Sequence, residues 1–374
     1  MFYKHKKVNF AFSSKAHSKT ENMKKISSKA LIITSLIIIF ILGAAATAVY
    51  FTVGQDYILT QKKTFNVPDG TYIYIYPEDN AESVKKKLEE IAGEDAGKAF
   101  AIYAEHNKFD SKSHCGKFQI KNGDTMRDIY NRIVSNTQTP VKLTVPSTRN
   151  IDECVETICK QLMMEPEELK EYTNSQAYIM ALGYTVENFP SLFIPETYEV
   201  YWNIEPDKLM IRLMKEHTKF WNDERKAKAE KLGMTPEQVA TLASIVDEET
   251  NNVAEQPTVA GLYINRLKKG MLLQADPTVK FALGDPTRKR ILNEDLKTES
   301  PYNTYKYKGL PPGPIRIPTK QALESVLNYE KHNYLYMCAK EDFSGTHNFA
   351  KTLSEHNANA KKYQNALNKL KIKK

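Results

Sequence analysis

Residues Ala30 to Val53 run for 24 positions without a charged side chain, and no other feature limits the fold of the chain as much. As a helix this run would be about 36 Å long, enough to cross the hydrocarbon core of a bilayer. It divides the sequence into a tail (1–29), a transmembrane helix (30–53) and an exported or cytoplasmic bulk. Charge decides between the last two. Met1 to Lys29 carry eight Lys and one Glu, so 7 of the net charge of +8 lies in the tail and the rest of the chain is left at about +1. Lysines flanking a first span stay in the cytoplasm, which sends the C-terminal bulk across the membrane. The same arithmetic removes the main support for nucleic acid as a partner. Ala44, Ala46 and Ala48 offer a signal-peptidase alternative, but the apolar run continues through Val49, Phe51 and Val53, beyond a typical signal core, and favours an uncleaved anchor.

A chain of 374 residues holds two or three domains. From 55 to 138 the pattern is a small α+β module in βααβ order. Tyr72-Ile73-Tyr74-Ile75-Tyr76 follows a Pro68-Asp69-Gly70 turn and reads as a strand. Helices are expected over Ala81 to Ile91 and Gly97 to His106, with a second strand at Gly116 to Ile120. Asp124 is expected to cap a helix bearing Met126, Ile129, Tyr130, Ile133 and Val134. Four cysteines, Cys115, Cys154, Cys159 and Cys338, have no metal-binding spacing and read as small buried residues. No cofactor motif is present.

From 139 onward the chain is mainly helical with added strands. Its best-marked helix follows Thr235-Pro236-Glu237-Gln238, where Thr235 and Gln238 form a capping box and Pro236 takes the first helical position. Val239, Leu242, Ala243 and Val246 make its apolar stripe, and it ends in Asp247, Glu248 and Glu249. On a helical wheel Glu248 points away from the stripe and Asp247 lies on its flank. Glu249 follows Leu242, Ile245 and Val246 at helical spacing. Desolvation there would raise a carboxyl pKa and keep it protonated near neutral pH, as a general acid requires. Asp276-Pro277-Thr278 reads as a second cap with N1 proline. The Pro- and Gly-rich run from Tyr302 to Pro318 reads as a stiff loop fit to wall a cleft.

Leu242-Ala243-Ser244-Ile245-Val246-Asp247-Glu248-Glu249-Thr250, Tyr263-Ile264-Asn265-Arg266-Leu267, Gly270 to Thr278, Ser300-Pro301-Tyr302-Asn303-Thr304-Tyr305 and Gly309-Leu310-Pro311-Pro312-Gly313-Pro314-Ile315 resemble, in order and spacing, the YceG-like endolytic murein transglycosylases (MltG family). Pro195-Glu196-Thr197-Tyr198 and His347-Asn348-Phe349 extend the likeness over roughly Thr139 to Tyr363. A looser likeness reaches back into the 55–138 module, which resembles a LysM-type glycan-binding unit. The resemblance implies a mainly helical lysozyme-like catalytic domain over 139–374. It also implies cleavage of the β-1,4 bond between N-acetylmuramic acid and N-acetylglucosamine within peptidoglycan strands, leaving 1,6-anhydro ends. The family's catalytic glutamate precedes the threonine of the Ile-Val-x-x-Glu-Thr run and corresponds to Glu249. Asn265, Gln274, Tyr302, Asn303 and Glu196 become candidates for positioning the sugar, with no metal and no cofactor. Implied partners are peptidoglycan strands, the bacterial inner membrane as a single-pass anchor with the catalytic part outside, and enzymes of cell-wall synthesis. One departure stands out. Family members carry a Glu-Gly pair where this chain has Pro190-Ser191, so any role of that acidic residue is absent or moved to Glu187 or Glu196.

Two other readings fit the residues alone. A hydrolytic muramidase needs a second carboxylate, for which Asp247, Asp276 and Glu299 are the candidates. A membrane-tethered glycan-binding scaffold needs no acid at all.

Overall fold

The computed structural model describes residues 28–63, 65–285, 288 and 291–369. The basic tail lies outside them, apart from its last two positions. The apolar run forms helix α1 (Ser28–Val49), and helical backbone continues through two wider π-type stretches, Tyr50–Gly54 and Ile58–Lys62. Helix α1 is long and apolar enough to cross a membrane and its side chains are exposed throughout.

By its contacts the described chain separates into two units. The first comprises residues 28–69, 81–109 and 121–130. It contains the antiparallel helix pair α2 (Ala81–Ala92) and α3 (Glu94–Asn107) and the start of α4 (Met126–Val134). Its interior is Val84, Leu88, Ala99, Phe100, Met126 and Ile129, with Tyr103 stacked on Tyr130 at 4.9 Å between centroids. Phe65 and the 123–124 turn exchange two backbone hydrogen bonds of 2.8 and 2.9 Å. Asp124 does not cap α4 as expected. Its carboxylate closes the turn onto the Lys121 N–H at 2.7 Å, and Thr125 takes the capping role with Asp128.

The second unit holds three two-stranded antiparallel sheets. Strand β1 (Thr71–Ile75) pairs with β2 (Gly116–Ile120), β3 (Val141–Val145) with β4 (Glu196–Val200), and β5 (Tyr336–Ala339) with β6 (His347–Ala350). Two apolar clusters fill the unit. One forms where β3 and β4 meet helices α5 (Ile151–Cys159), α6 (Pro166–Thr173), α7 (Gln176–Ala181) and α8 (Pro206–Phe220). Cys154 and Cys159 lie in this cluster as small apolar groups, and burial pushes their thiols up to about 12 and about 11. Phe189, Leu192 and Phe193 are buried here too, so the aromatic segment before Glu196 serves the core.

The other cluster surrounds helix α10 (Pro236–Glu249), which follows α9 (Asp223–Leu232). Around it stand α11 (Gln256–Lys268), α12 (Asp276–Ala282) and α13 (Lys320–Leu327). The capping box is formed as expected, with Gln238 N–H bonded to the Thr235 hydroxyl and Thr235 N–H to the Gln238 side chain. The single apolar stripe is not: every residue from Val239 to Asp247 is buried. The polar positions are accommodated by local bonds. Thr241 donates to the Glu237 carbonyl at 2.8 Å and Ser244 to the Thr241 carbonyl at 2.7 Å, while the Ser244 oxygen accepts the Ile315 N–H at 3.0 Å. Helix α14 (Leu353–Lys369) ends the described chain.

Candidate active site

The last turn of α10 presents its three carboxylates to three different partners. Asp247 is buried. It accepts the Thr319 N–H at 2.8 Å, the Thr319 hydroxyl at 2.9 Å and the Gln256 amide at 3.3 Å, and so anchors the start of α13. Glu248 does not face open solvent, as the wheel implied, but is held by the Arg316 guanidinium at 2.8 Å. Glu249 remains partly accessible, and the Tyr263 hydroxyl donates to its Oε1 at 2.6 Å.

Burial pushes the Glu249 carboxyl up to about 7. The Tyr263 hydrogen bond works against this by favouring the charged form, Asp276 adds to the rise, and His347 and Lys280 oppose it at longer range. The outcome is a carboxyl that holds its proton to higher pH than an ordinary glutamate does, with Oε1 fixed by Tyr263 and no hydrogen bond from the described residues engaging Oε2. Tyr263 is 1% exposed, and burial together with the neighbouring Glu249 raises its phenol far above the ordinary value. It therefore stays a hydrogen-bond donor.

Two further pairs flank this acid. Asp276, at the start of α12, accepts the Tyr305 hydroxyl at 2.5 Å. Its side chain makes no cap for the helix, contrary to the expectation from Asp-Pro-Thr. Glu255 accepts the His347 backbone N–H at 2.8 Å and the His347 Nδ1–H at 2.8 Å, and the Thr250 hydroxyl at 3.2 Å. This chain of bonds ties the residue after Glu249 to β6. A cavity of about 360 Å³ adjoins the helix end, lined by Arg149, Asn150, Glu248, Lys280, Phe281 and Ile315 among others.

The expected sugar contacts separate in space. Gln274 is exposed with φ +51, a left-handed conformation for a side-chain-bearing residue, and its amide oxygen accepts from Arg266 at 3.1 Å. Strain of this kind collects at binding sites. Tyr302 is partly buried against Phe281, with ring centroids 4.6 Å apart, and burial followed by the Glu187 charge pushes its phenol up to about 12.

Asn265 and Asn303 instead hold the surrounding chain. The Asn265 amide donates to the carbonyls of His332 and Tyr334 at 2.8 and 3.1 Å. Asn303 is fully buried, donates to the Leu296 and Thr298 carbonyls and accepts the Tyr305 N–H at 3.0 Å. Glu196 lies on β4, paired with Lys320 at 2.8 Å, beside a separate cavity of about 360 Å³ that also includes Arg212 and Glu216. Among the described residues no group of three or more His, Cys, Asp or Glu side chains could hold a metal ion.

Two participants were not visible as such in the sequence. In the Tyr263-Ile264-Asn265-Arg266-Leu267 run, Tyr263 falls on the apolar face of a helix and Arg266 is a polar position between apolar ones, with no further role marked. Arg266 is 6% exposed and its guanidinium bonds the carbonyls of Leu335, Leu272 and Leu273. The usable signal was a tyrosine exactly fourteen positions after the acid on the facing helix, which only the turn between the helices makes meaningful.

The profile of the YceG-like family matches residues 73–362, a span that contains every residue of this site. The chain belongs to the YceG-like family. Among curated relatives, the endolytic murein transglycosylase of Bacillus subtilis (strain 168) is 29% identical over 321 residues, covering 81% of this chain and 85% of the relative. The protein of the same name from Streptococcus pneumoniae (strain ATCC BAA-255 / R6) is 25% identical and covers 90% of this chain but 66% of its own length. A solved structure of a yceG-like protein from Listeria monocytogenes is 27% identical, covering 77% of this chain and 98% of that one, with a TM-score of 0.48. The Ile245-Val246-Asp247-Glu248-Glu249-Thr250 run of this YceG-like chain lies inside the matched span.

Proposed function

We propose that the chain is a membrane-anchored endolytic murein transglycosylase. It would cleave the β-1,4 bond between N-acetylmuramic acid and N-acetylglucosamine inside peptidoglycan strands and leave 1,6-anhydro ends, with Glu249 as the acid and base. The observation that carries this reading is the Glu249 carboxyl, raised to about 7 by burial and fixed through one oxygen by Tyr263. Membership of the YceG-like family and the activity named for its relatives support the substrate class. Helix α1 supports the anchor, and the lysine-rich tail supports an orientation with residues 55–374 outside the cytoplasm.

The chemistry follows from one carboxyl. Protonated Glu249 gives its proton from Oε2 to the leaving glycosidic oxygen while the C1–O bond breaks, and the muramyl acetamido oxygen supports the cation at C1. The Glu249 carboxylate then takes the proton of the C6 hydroxyl as O6 bonds to C1. No water is consumed, so no second carboxylate is needed to activate one. Asp247, held by Thr319 and Gln256, and Glu299, held by Lys306 and Tyr307, are already engaged. A positioned acid of this type contributes about 10²- to 10⁴-fold, and holding O6 near C1 adds the proximity term.

The test is mass analysis of strand ends after the purified full chain meets uncrosslinked peptidoglycan, with Glu249→Gln alongside. Anhydro-muramyl ends from the native chain, reduced at least about 10²-fold in the variant, are expected. Reducing ends would identify a hydrolase, and glycan binding without cleavage by either protein would identify a tethered binding module.

A further inference from the structure

The reaction just described places positive charge on the substrate's acetamido nitrogen as its carbonyl oxygen closes on C1. The Glu249 carboxylate left at that stage is committed to the leaving oxygen and then to the O6 proton, not to the acetamido N–H. A negative acceptor is required next to the acid, with at least one oxygen open to the cleft. Asp247 has both oxygens engaged, Glu248 is held by Arg316, and Glu255 is saturated by His347 and Thr250. Asp276 differs from all three. It is exposed, its Oδ1 accepts the Tyr305 hydroxyl at 2.5 Å while no hydrogen bond from the described residues engages its Oδ2, and its helix α12 packs against α10.

We propose that Asp276, oriented by Tyr305, accepts the acetamido N–H of the muramyl residue whose bond Glu249 cleaves, and stabilises the cyclic oxazolinium ion formed there. The inference rests on the transglycosylase reading above and assigns its second charged group. Bond by bond, the glycosidic C1–O bond breaks as the Glu249 proton reaches the leaving oxygen, and the acetamido oxygen bonds to C1. O6 then displaces that oxygen while its proton returns to Glu249. Asp276 exchanges no proton at any step. Its contribution is a fixed charge, strengthened because Tyr305 holds Oδ1 and leaves Oδ2 directed to one ligand. Groups bearing on Glu249 from the neighbouring elements are Tyr263 on α11, Asp276 and Lys280 on α12, and His347 on β6. After burial and the opposing Tyr263 bond, the Asp276 charge is the next influence on that acid and acts upward.

The test uses the full chain in detergent, uncrosslinked glycan strands, and the 1,2-thiazoline of N-acetylmuramic acid, a stable analogue of the closed ring. Asp276→Asn is expected to lower kcat for anhydro-end formation by about 10²-fold, with KM changed only a few-fold. Its affinity for the thiazoline should fall in the same proportion while strand binding stays. Tyr305→Phe, which keeps the charge but frees it, should give a smaller loss on both readouts. An unchanged kcat, native thiazoline affinity, or a loss confined to KM in Asp276→Asn would overturn the proposal and leave the Glu249 reading intact. Native protein that yields only reducing ends, lost in Asp276→Asn, would overturn both and make Asp276 the group that activates water.

Discussion

Glu249 has the property a general acid needs, and the property has a cost in stability. Its carboxyl is raised from 4.5 to about 7, so between those pH values the unfolded chain has released a proton that the folded chain keeps. Stability therefore falls as pH rises through that window and levels above it. Glu249→Gln removes the titrating group while its amide oxygen still accepts from Tyr263. The variant is expected to match the native chain in unfolding free energy near pH 4 and to exceed it by on the order of 2–3 kcal/mol at pH 8. Chemical denaturation at the two pH values measures the difference, and a variant equally or less stable at pH 8 would contradict the burial account. Tyr263 acts in the opposite sense, since its hydrogen bond favours the carboxylate. Tyr263→Phe should move the alkaline limb of the rate profile to higher pH and slow cleavage, and a limb that stays or moves down would refute the role.

At the scale of elements, local chemistry was readable and long-range pairing was not. Thr235, Pro236 and Gln238 fixed the start of α10 because a capping box needs only four consecutive residues. The stripe on that helix was misjudged because Thr241 and Ser244 satisfy their hydroxyls within the helix and on Ile315, so polarity did not mean exposure. Asp276 read as a cap because Asp-Pro favours one, and the Tyr305 hydroxyl, 29 positions away, competes for the same oxygen. Asn303 looked like a sugar ligand and is instead the inner brace of its loop. The Glu255 to His347 bond spans 92 positions and leaves no local trace. The 309–315 loop depends on a close approach: a Cβ on Gly313 would stand 1.8 Å from the Glu187 carbonyl oxygen. Backbone cannot yield as a side chain can, so Gly313→Ala is expected to destabilise the protein by about 1–3 kcal/mol. Thermal or denaturant unfolding checks this, and a neutral effect would mean that the segment around Glu187 moves freely.

The whole molecule joins an apolar helix long enough for a bilayer to a second unit whose core is built around the helix that carries Glu249. The apolar helix α1 was legible because composition alone marks a run long enough to cross a bilayer. The packing of the bulk was not, since three separate two-stranded sheets give no repeating pattern. In the proposed reaction one carboxyl, protonated near neutrality, does the chemistry. Its most direct test is the pH dependence of kcat/KM for anhydro-end release by the complete chain reconstituted in lipid. The rate is expected to fall along a single alkaline limb centred near 7, the value set by the surroundings of Glu249. A rate that stays flat to pH 9, or falls only below pH 5, would contradict it.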